Sequence, residues 1–235
     1  MNSMTNRTVG DLVAERPSLS RIFERRGIDY CCGGRRTLEQ AALEAKTDVE
    51  DLLLELGAQP AIPSDRDWRD ATIREVVEHI LQAHHQWLHD NMDRISDLAR
   101  KVARVHGDHA PVVREVESLY LELRADLEPH LAKEERILFP AALGWSESGS
   151  LGMGCGSMSS LEGPVSVMEA DHAAVGRMLD RLVVLTDGFR PPPEACGTWR
   201  ALWDALQELD ANTRAHVHLE NEVLHPAIRA LAGPE

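Results

Sequence analysis

Apolar residues recur three and four positions apart along most of this chain, and four long stretches keep that rhythm far enough to form extended helices. The first runs from about Asp70 to Val105 with an apolar seam of Leu81, Leu88, Met92 and Ile95. The second runs from about Pro111 to Pro140, with Leu123, Leu127 and Ile137 in one line. The third follows Pro164, with Met168, Val175, Leu179 and Leu182. The fourth spans about Glu194 to Ala230, with Leu209, Thr213 and Val223 in phase. Four such helices pack most simply as an up-down-up-down bundle, so the expected fold class is all-α.

Ionisable residues interrupt each seam. His85 falls in the first, His130 and Glu134 in the second, His172 in the third, and His216 and Glu220 in the fourth. The second and fourth stretches carry one motif written twice: HLAKEERILFP from His130 and HVHLENEVLHP from His216. Both read His, three residues, Glu, three residues, Leu, one residue, Pro, and a single His precedes each copy by 45 or 44 residues. A His and a Glu four apart stack on one helix face, roughly 6 Å apart along the axis. The imidazole can hold one metal while the carboxylate reaches toward a second. A lone copy would read as a solvated helix face. Two copies in register, inside apolar seams, are costly unless the groups pair or coordinate a metal. A buried His–Glu ion-pair network is the competing reading.

Other candidates lie off the seams. His79, His84 and His89 are expected to face solvent or to support the ligands, with His84 or His225 as a potential fifth His ligand. Asp126, Asn212 and Asp171 are placed to support ring nitrogens. Pro129 should bend the second helix just before His130. The stretch from Gly144 to Gly163, GWSESGSLGMGCGSMSSLEG, reads as a flexible connector that carries Cys155. Cys196, near the start of the fourth helix, reads as structural.

The residues before the bundle divide into a small helical domain over 1–57, a linker over 58–67 stiffened by Pro60 and Pro63, and the bundle over 68–232. Thr8 is placed to cap a first short helix and Ser18 a second, ended by Gly27. Thr37 with Gln40, and Thr47 with Glu50, read as capping boxes for two more, the last closed by Gly57. Between the second and third sits Asp29-Tyr30-Cys31-Cys32-Gly33-Gly34. Adjacent cysteines rarely bridge each other, so Cys31 and Cys32 are either an accessible thiol pair for redox or metal handling, or two small residues beside a turn.

Composition narrows the function. The formal net charge of -14 argues against nucleic-acid or anionic-membrane partners. No apolar run is long enough to span a membrane, and the first residues lack the apolar core of a signal peptide, so a cytoplasmic location and free thiols are expected. Four His and two Glu without a thiolate in phase suit iron, manganese or zinc. Two bridging carboxylates favour a dinuclear centre with iron foremost, leaving positions open for an oxo or hydroxo bridge and a small ligand such as NO or O2.

The repeated H-x-x-x-E on four helices resembles the hemerythrin-like family, and the DYCCGG motif ahead of it, with GPVSVMEADH and PPPEAC, resembles the Repair of Iron Centres family of di-iron proteins. That resemblance implies two iron ions on His85, His130, Glu134, His172, His216 and Glu220, with Cys31 and Cys32 as the thiol pair. It implies a stress protein that restores damaged or apo iron–sulfur proteins, with iron supply as the first mechanism and NO reduction at the same centre, or reversible O2 binding, as alternatives. A homodimer is a candidate assembly. Two departures stand out: His225 where the first copy has Phe139, and the Gly/Met/Cys insertion around 149–160.

Overall fold

A computed structural model describes residues 4–60, 66–148 and 160–231. Among these residues every regular element is helical, and no helix is long and apolar enough to cross a membrane. The chain divides into two compact units. One holds the chain up to Val77 together with the chain from Ala215 onward, and the other holds Glu78–Arg214.

The first unit opens with α1 (Val9–Glu15), capped by the Thr8 hydroxyl accepting from the Asp11 N–H. A 3-10 turn, Pro17–Leu19, leads into α2 (Ser20–Arg25). Ser18 therefore does not cap this helix: it lies buried inside the turn, while Gly27 takes the left-handed conformation (φ 65°) that ends the segment. The capping box of α3 (Leu38–Glu44) forms as expected, with both the Thr37 and Gln40 side-chain bonds present. For α4 (Val49–Ala58) the cap is Asp48, whose carboxylate accepts from the Glu50 and Asp51 N–H groups. An Asp at the N-cap also places negative charge at the helix N-terminus, which favours it over Thr47 one residue earlier. Gly57 lies within α4 and does not end it.

Val9, Leu12, Phe23, Tyr30, Cys31, Leu38, Leu52 and Leu56 form the core of this unit, and Val217 from the C-terminal part packs into it. Contact with residues 218–222 explains two glycines. A Cβ on Gly10 would lie 2.6 Å from the Glu222 side chain, and one on Gly34 would lie 2.3 Å from it. At Gly34 a Cβ would also meet the Tyr30 carbonyl at 2.7 Å, a backbone atom that cannot swing away as the end of a Glu side chain can.

The second unit is built on long helices. A continuous helix comprises α5 (Ile73–His79), a π-turn at Ile80–His85, and α6 (Gln86–His106); its first residues belong to the first unit. The next comprises α7 (Val112–Lys133), a π-turn at Glu134–Leu138, and α8 (Phe139–Ser148). Then come α9 (Glu162–Leu185) and α10 (Gly197–Leu219), the latter continuing past Arg214 into the first unit. The chain ends its described part with a π-turn at Glu220–Leu224 and α11 (His225–Leu231). Leu88, Ile95, Leu123, Leu127, Leu179, Leu182, Leu202 and Leu206 meet in one core, so helices from all four stretches contribute to it. Tyr120 ties α7 to α6 by donating its hydroxyl hydrogen to the Met92 carbonyl at 2.7 Å.

Two expectations fail for a shared reason. Ile137 is 52% exposed while Leu138 is buried, and Leu81 is half-buried while Ile80 is fully buried. A π-turn holds more residues per turn than an α-helix, so a seam extrapolated through it at the α-helical period lands one residue off. The second long helix also does not stop at Pro140 but continues through α8 to Ser148. Residues 144–148, expected in the connector, are helical. Cys155 and the insertion at 149–159 lie outside the described residues.

Candidate metal centre

Glu134 is the first residue of its π-turn and is fully buried. Three imidazoles surround its carboxylate within the second unit. His130 Nε2 lies 3.0 Å from Oε1, His172 Nε2 3.8 Å from Oε1, and His85 Nε2 3.5 Å from Oε2. His130 and His172 bring their Nε2 atoms within 3.1 Å of each other. Each of these three rings is essentially inaccessible to solvent. Three stretches of sequence far apart thus place the same ring nitrogen on one buried carboxylate.

The outward nitrogens have partners of their own. His85 Nδ1 lies 2.9 Å from Glu135 Oε1, and the same oxygen lies 2.8 Å from His89 Nε2. His130 Nδ1 lies 3.4 Å from Asp171 Oδ2, which Lys133 also reaches at 3.1 Å. A carboxylate on the far nitrogen fixes the ring's orientation and points Nε2 inward at Glu134, the arrangement that supports metal-bound His. Of the three expected supporting residues, Asp171 takes that role, on His130, and the other two do not. Asp126 is exposed, and Asn212 donates to the Ala83 carbonyl. Glu135 was not legible as a supporting residue, because only the wide turn beginning at Glu134 brings it beside His85.

Burial works to raise the Glu134 carboxyl, but the hydrogen bonds from His130, His172 and His85 outweigh it and hold the group well below the usual carboxylate range. The Glu134 carboxylate is therefore the ionised form at ordinary pH, beside inward imidazole nitrogens. Buried nitrogen and oxygen donors of this kind fit a borderline divalent metal. Phe139 covers the His85 ring with centroids 5.6 Å apart. The residue at the equivalent place in the second motif, His225, is fully buried in the first unit. His84 is buried and meets His79 edge to face at 5.4 Å.

The second motif repeats the local geometry in the first unit. His216 Nε2 lies 3.1 Å from Glu220 Oε1, both side chains are buried, and Glu220 again opens a π-turn. The residues around it hold the thiol loop. His218 Nδ1 lies 3.3 Å from the Tyr30 carbonyl, and Asn221 donates to the Cys31 carbonyl at 3.0 Å. Burial pushes His218 down to about 4, against a smaller opposing effect of the bond to Tyr30, so it is neutral at ordinary pH. Cys31 is buried and Cys32 exposed, with their sulfurs 3.7 Å apart and unbridged. Asp29 accepts from the N–H groups of both cysteines and from the Cys31 thiol, and the three side chains form a compact donor group.

Residues 76–228 match the family model described as the hemerythrin HHE cation binding domain, and residues 5–59 match a domain of unknown function, DUF542. An iron–sulfur cluster repair protein, YtfE, of Enterobacter sp. (strain 638) is 39% identical over 225 residues, covering 96% of each chain. Proteins of the same name from Citrobacter koseri and Escherichia coli O8 are 36% and 37% identical, over 98% and 96% of this chain. With one family model matching well over half of its length and relatives of this similarity matching nearly all of it, the chain belongs to the hemerythrin HHE cation-binding family, among its iron–sulfur cluster repair members.

Proposed function

We propose that this chain holds two iron ions on His85, His130, Glu134, His172, His216 and Glu220, and supplies iron to iron–sulfur proteins whose clusters NO or oxidants have damaged. The observation that carries the reading is the Glu134 cluster: one buried carboxylate with three imidazole Nε2 atoms within 3.8 Å, in a chain whose relatives carry the name of cluster repair proteins. The repeat supports a second iron, because His216 and Glu220 reproduce the His130–Glu134 pair in spacing, burial and distance. Bound there, iron would supply the exchangeable ion for delivery. The protein's own groups orient the imidazoles through Glu135 and Asp171 and keep water from the buried carboxylate.

In this reading the organisation is a thiol-bearing domain over 1–57, a linker over 58–67 and a metal-binding bundle over 68–232, working in the cytoplasm, where the thiols stay reduced. Cys31 and Cys32 take part in handing iron on. The test uses the iron-loaded chain and an apo iron–sulfur enzyme, with sulfide and a reductant. Activity should return faster than with equimolar free iron, and Cys31→Ser/Cys32→Ser should slow delivery while iron stays bound. Iron that never leaves the chain, with no recovery of the client enzyme, would reject iron supply.

A further inference from the structure

A second set of reactive side chains, sharing no residue with the Glu134 cluster, lies within the Glu78–Arg214 unit. Three segments build it: the last residue of α6, the turn that follows, and the residue just before α10. His106 Nε2 lies 3.2 Å from the Cys196 sulfur, and His106 Nδ1 lies 3.3 Å from His109 Nε2. The His106 ring rests on Trp199 at 5.1 Å between centroids, and Trp199 is buried, so the imidazole has a rigid floor. Cys196 itself is exposed. This overturns its expected structural role, since an exposed thiol gains nothing from packing.

The order of the three groups shows what they can do. The sulfur and His109 sit on opposite nitrogens of one ring, so the donors form a line and do not converge on a single ion. A line of thiol, imidazole and imidazole is a proton relay. With His106 donating its Nδ1–H to His109, its Nε2 is left to accept the thiol proton. Cys196 immediately precedes α10, at the helix end where developing negative charge is favoured. Arg200 folds back over the same end, donating to the carbonyls of Ala195 at 3.1 Å and Pro193 at 3.3 Å. A guanidinium held on the backbone that leads into Cys196 favours a co-reactant that carries carboxylates.

We propose that Cys196 is a nucleophilic thiol that undergoes exchange with a small anionic disulfide, His106 acting as its base and His109 positioning His106. The thiol proton passes to His106 Nε2 as the sulfur attacks one sulfur of the disulfide. A Cys196–sulfur bond forms and the disulfide bond breaks. The electron pair leaves with the departing thiolate, which takes the proton back from His106 to become a free thiol. The small disulfide is the oxidant and is reduced to one thiol, with the other half retained on the protein.

The experiment treats the metal-loaded full chain with glutathione disulfide, or with cationic cystamine, and maps the modified cysteines by mass spectrometry. Cys196 should react at least about tenfold faster in the folded chain than in the same chain unfolded in urea, which falls below the range general-base catalysis supplies. His106→Gln should bring the rate down to the unfolded value, and His109→Gln should lower it in part. Glutathione disulfide should outpace cystamine, and Arg200→Gln should erase that preference. A folded-chain rate no higher than the unfolded one, or a rate unmoved by His106→Gln at unchanged helicity, overturns the proposal. Should His106→Gln lose helicity, the exposed His109→Gln decides, and an unchanged rate there overturns the relay. Faster reaction with cystamine overturns the anionic co-reactant.

Discussion

Exchanging Leu138 and Ile137 for alanine, one at a time, tests the π-turn on which the Glu134 geometry depends. An uninterrupted α-helix from His130 puts Ile137 in the core, because it stands three residues after Glu134 and seven after His130. The wide turn at Glu134–Leu138 puts Leu138 there instead: Leu138 is 2% exposed and Ile137 52%. Removing a buried Leu side chain costs about 2–5 kcal/mol, so Leu138→Ala should cost about 3 kcal/mol. Ile137→Ala removes surface that water already reaches, and about 0.5 kcal/mol is the expected loss. For a chain of this size each kcal/mol moves Tm by about 2–4 °C, which predicts a fall of roughly 6–12 °C against about 1–2 °C. Thermal unfolding followed by circular dichroism at 222 nm, on metal-loaded protein in both cases, reads the difference. Equal shifts, or a larger one for Ile137→Ala, would refute the π-turn and with it the placing of Glu135 beside His85.

Three further outcomes follow from individual contacts. Asp171→Ala and Glu135→Ala should each weaken metal binding about 10–100-fold in a competition titration, since each removes the acceptor that orients a ring; unchanged affinity would leave the rings oriented by packing alone. Burial pushes Tyr120 up to about 12 from the usual tyrosine value of 10, against weaker opposing effects of Ser96 and Arg124. A raised folded value means that the neutral hydroxyl stabilises the fold: this contribution is complete below pH 10 and is lost as pH rises through 12. It is worth about 3 kcal/mol by the two-unit shift, and Tyr120→Phe should flatten the alkaline limb of a stability–pH curve. Asp48→Ala and Thr37→Ala should each cost about 1 kcal/mol in urea unfolding and Thr47→Ala only a few tenths, because Asp48, and not Thr47, caps α4.

What the sequence made legible was whatever depends on short spacings along one helix. Thr8 and Thr37 cap the helices they precede, because a cap involves only the next two or three N–H groups. The seam of Met168, His172, Val175, Leu179 and Leu182 survives intact, because α9 keeps one period from end to end. The pairs His130–Glu134 and His216–Glu220 meet because residues four apart always do. The gathering of His85, His130 and His172 on Glu134 was legible from the repeat, but which remote residue supports each ring was not. Asp171 on α9 supports His130 on α7, while Asp126, on the same helix as His130, points to solvent. Cys196 faces His106 across ninety residues, and nothing in either local sequence announces the pairing.

The three π-turns among the described residues connect the legible part to the rest. His85 closes the first, Glu134 opens the second and Glu220 opens the third, so each sits at a ligand candidate. A π-turn has poorer hydrogen bonding than the α-helix it interrupts, and such turns persist mainly where function needs them. The need here is geometric. A carboxylate meant to face several imidazoles must hold its place in the seam, and yet the helix beyond must still bury its own apolar residues. An extra residue in one turn does both: Glu134 turns to His85, His130 and His172, while Leu138 and Phe139 resume the core. The second motif repeats the device, with Glu220 facing His216 and Leu224 fully buried after it. Helix α9 contributes a His and no carboxylate ligand, and it contains no such turn. Regular periodicity thus locates the helices, and the places where the structure departs from it are the places where the metal-binding chemistry sits.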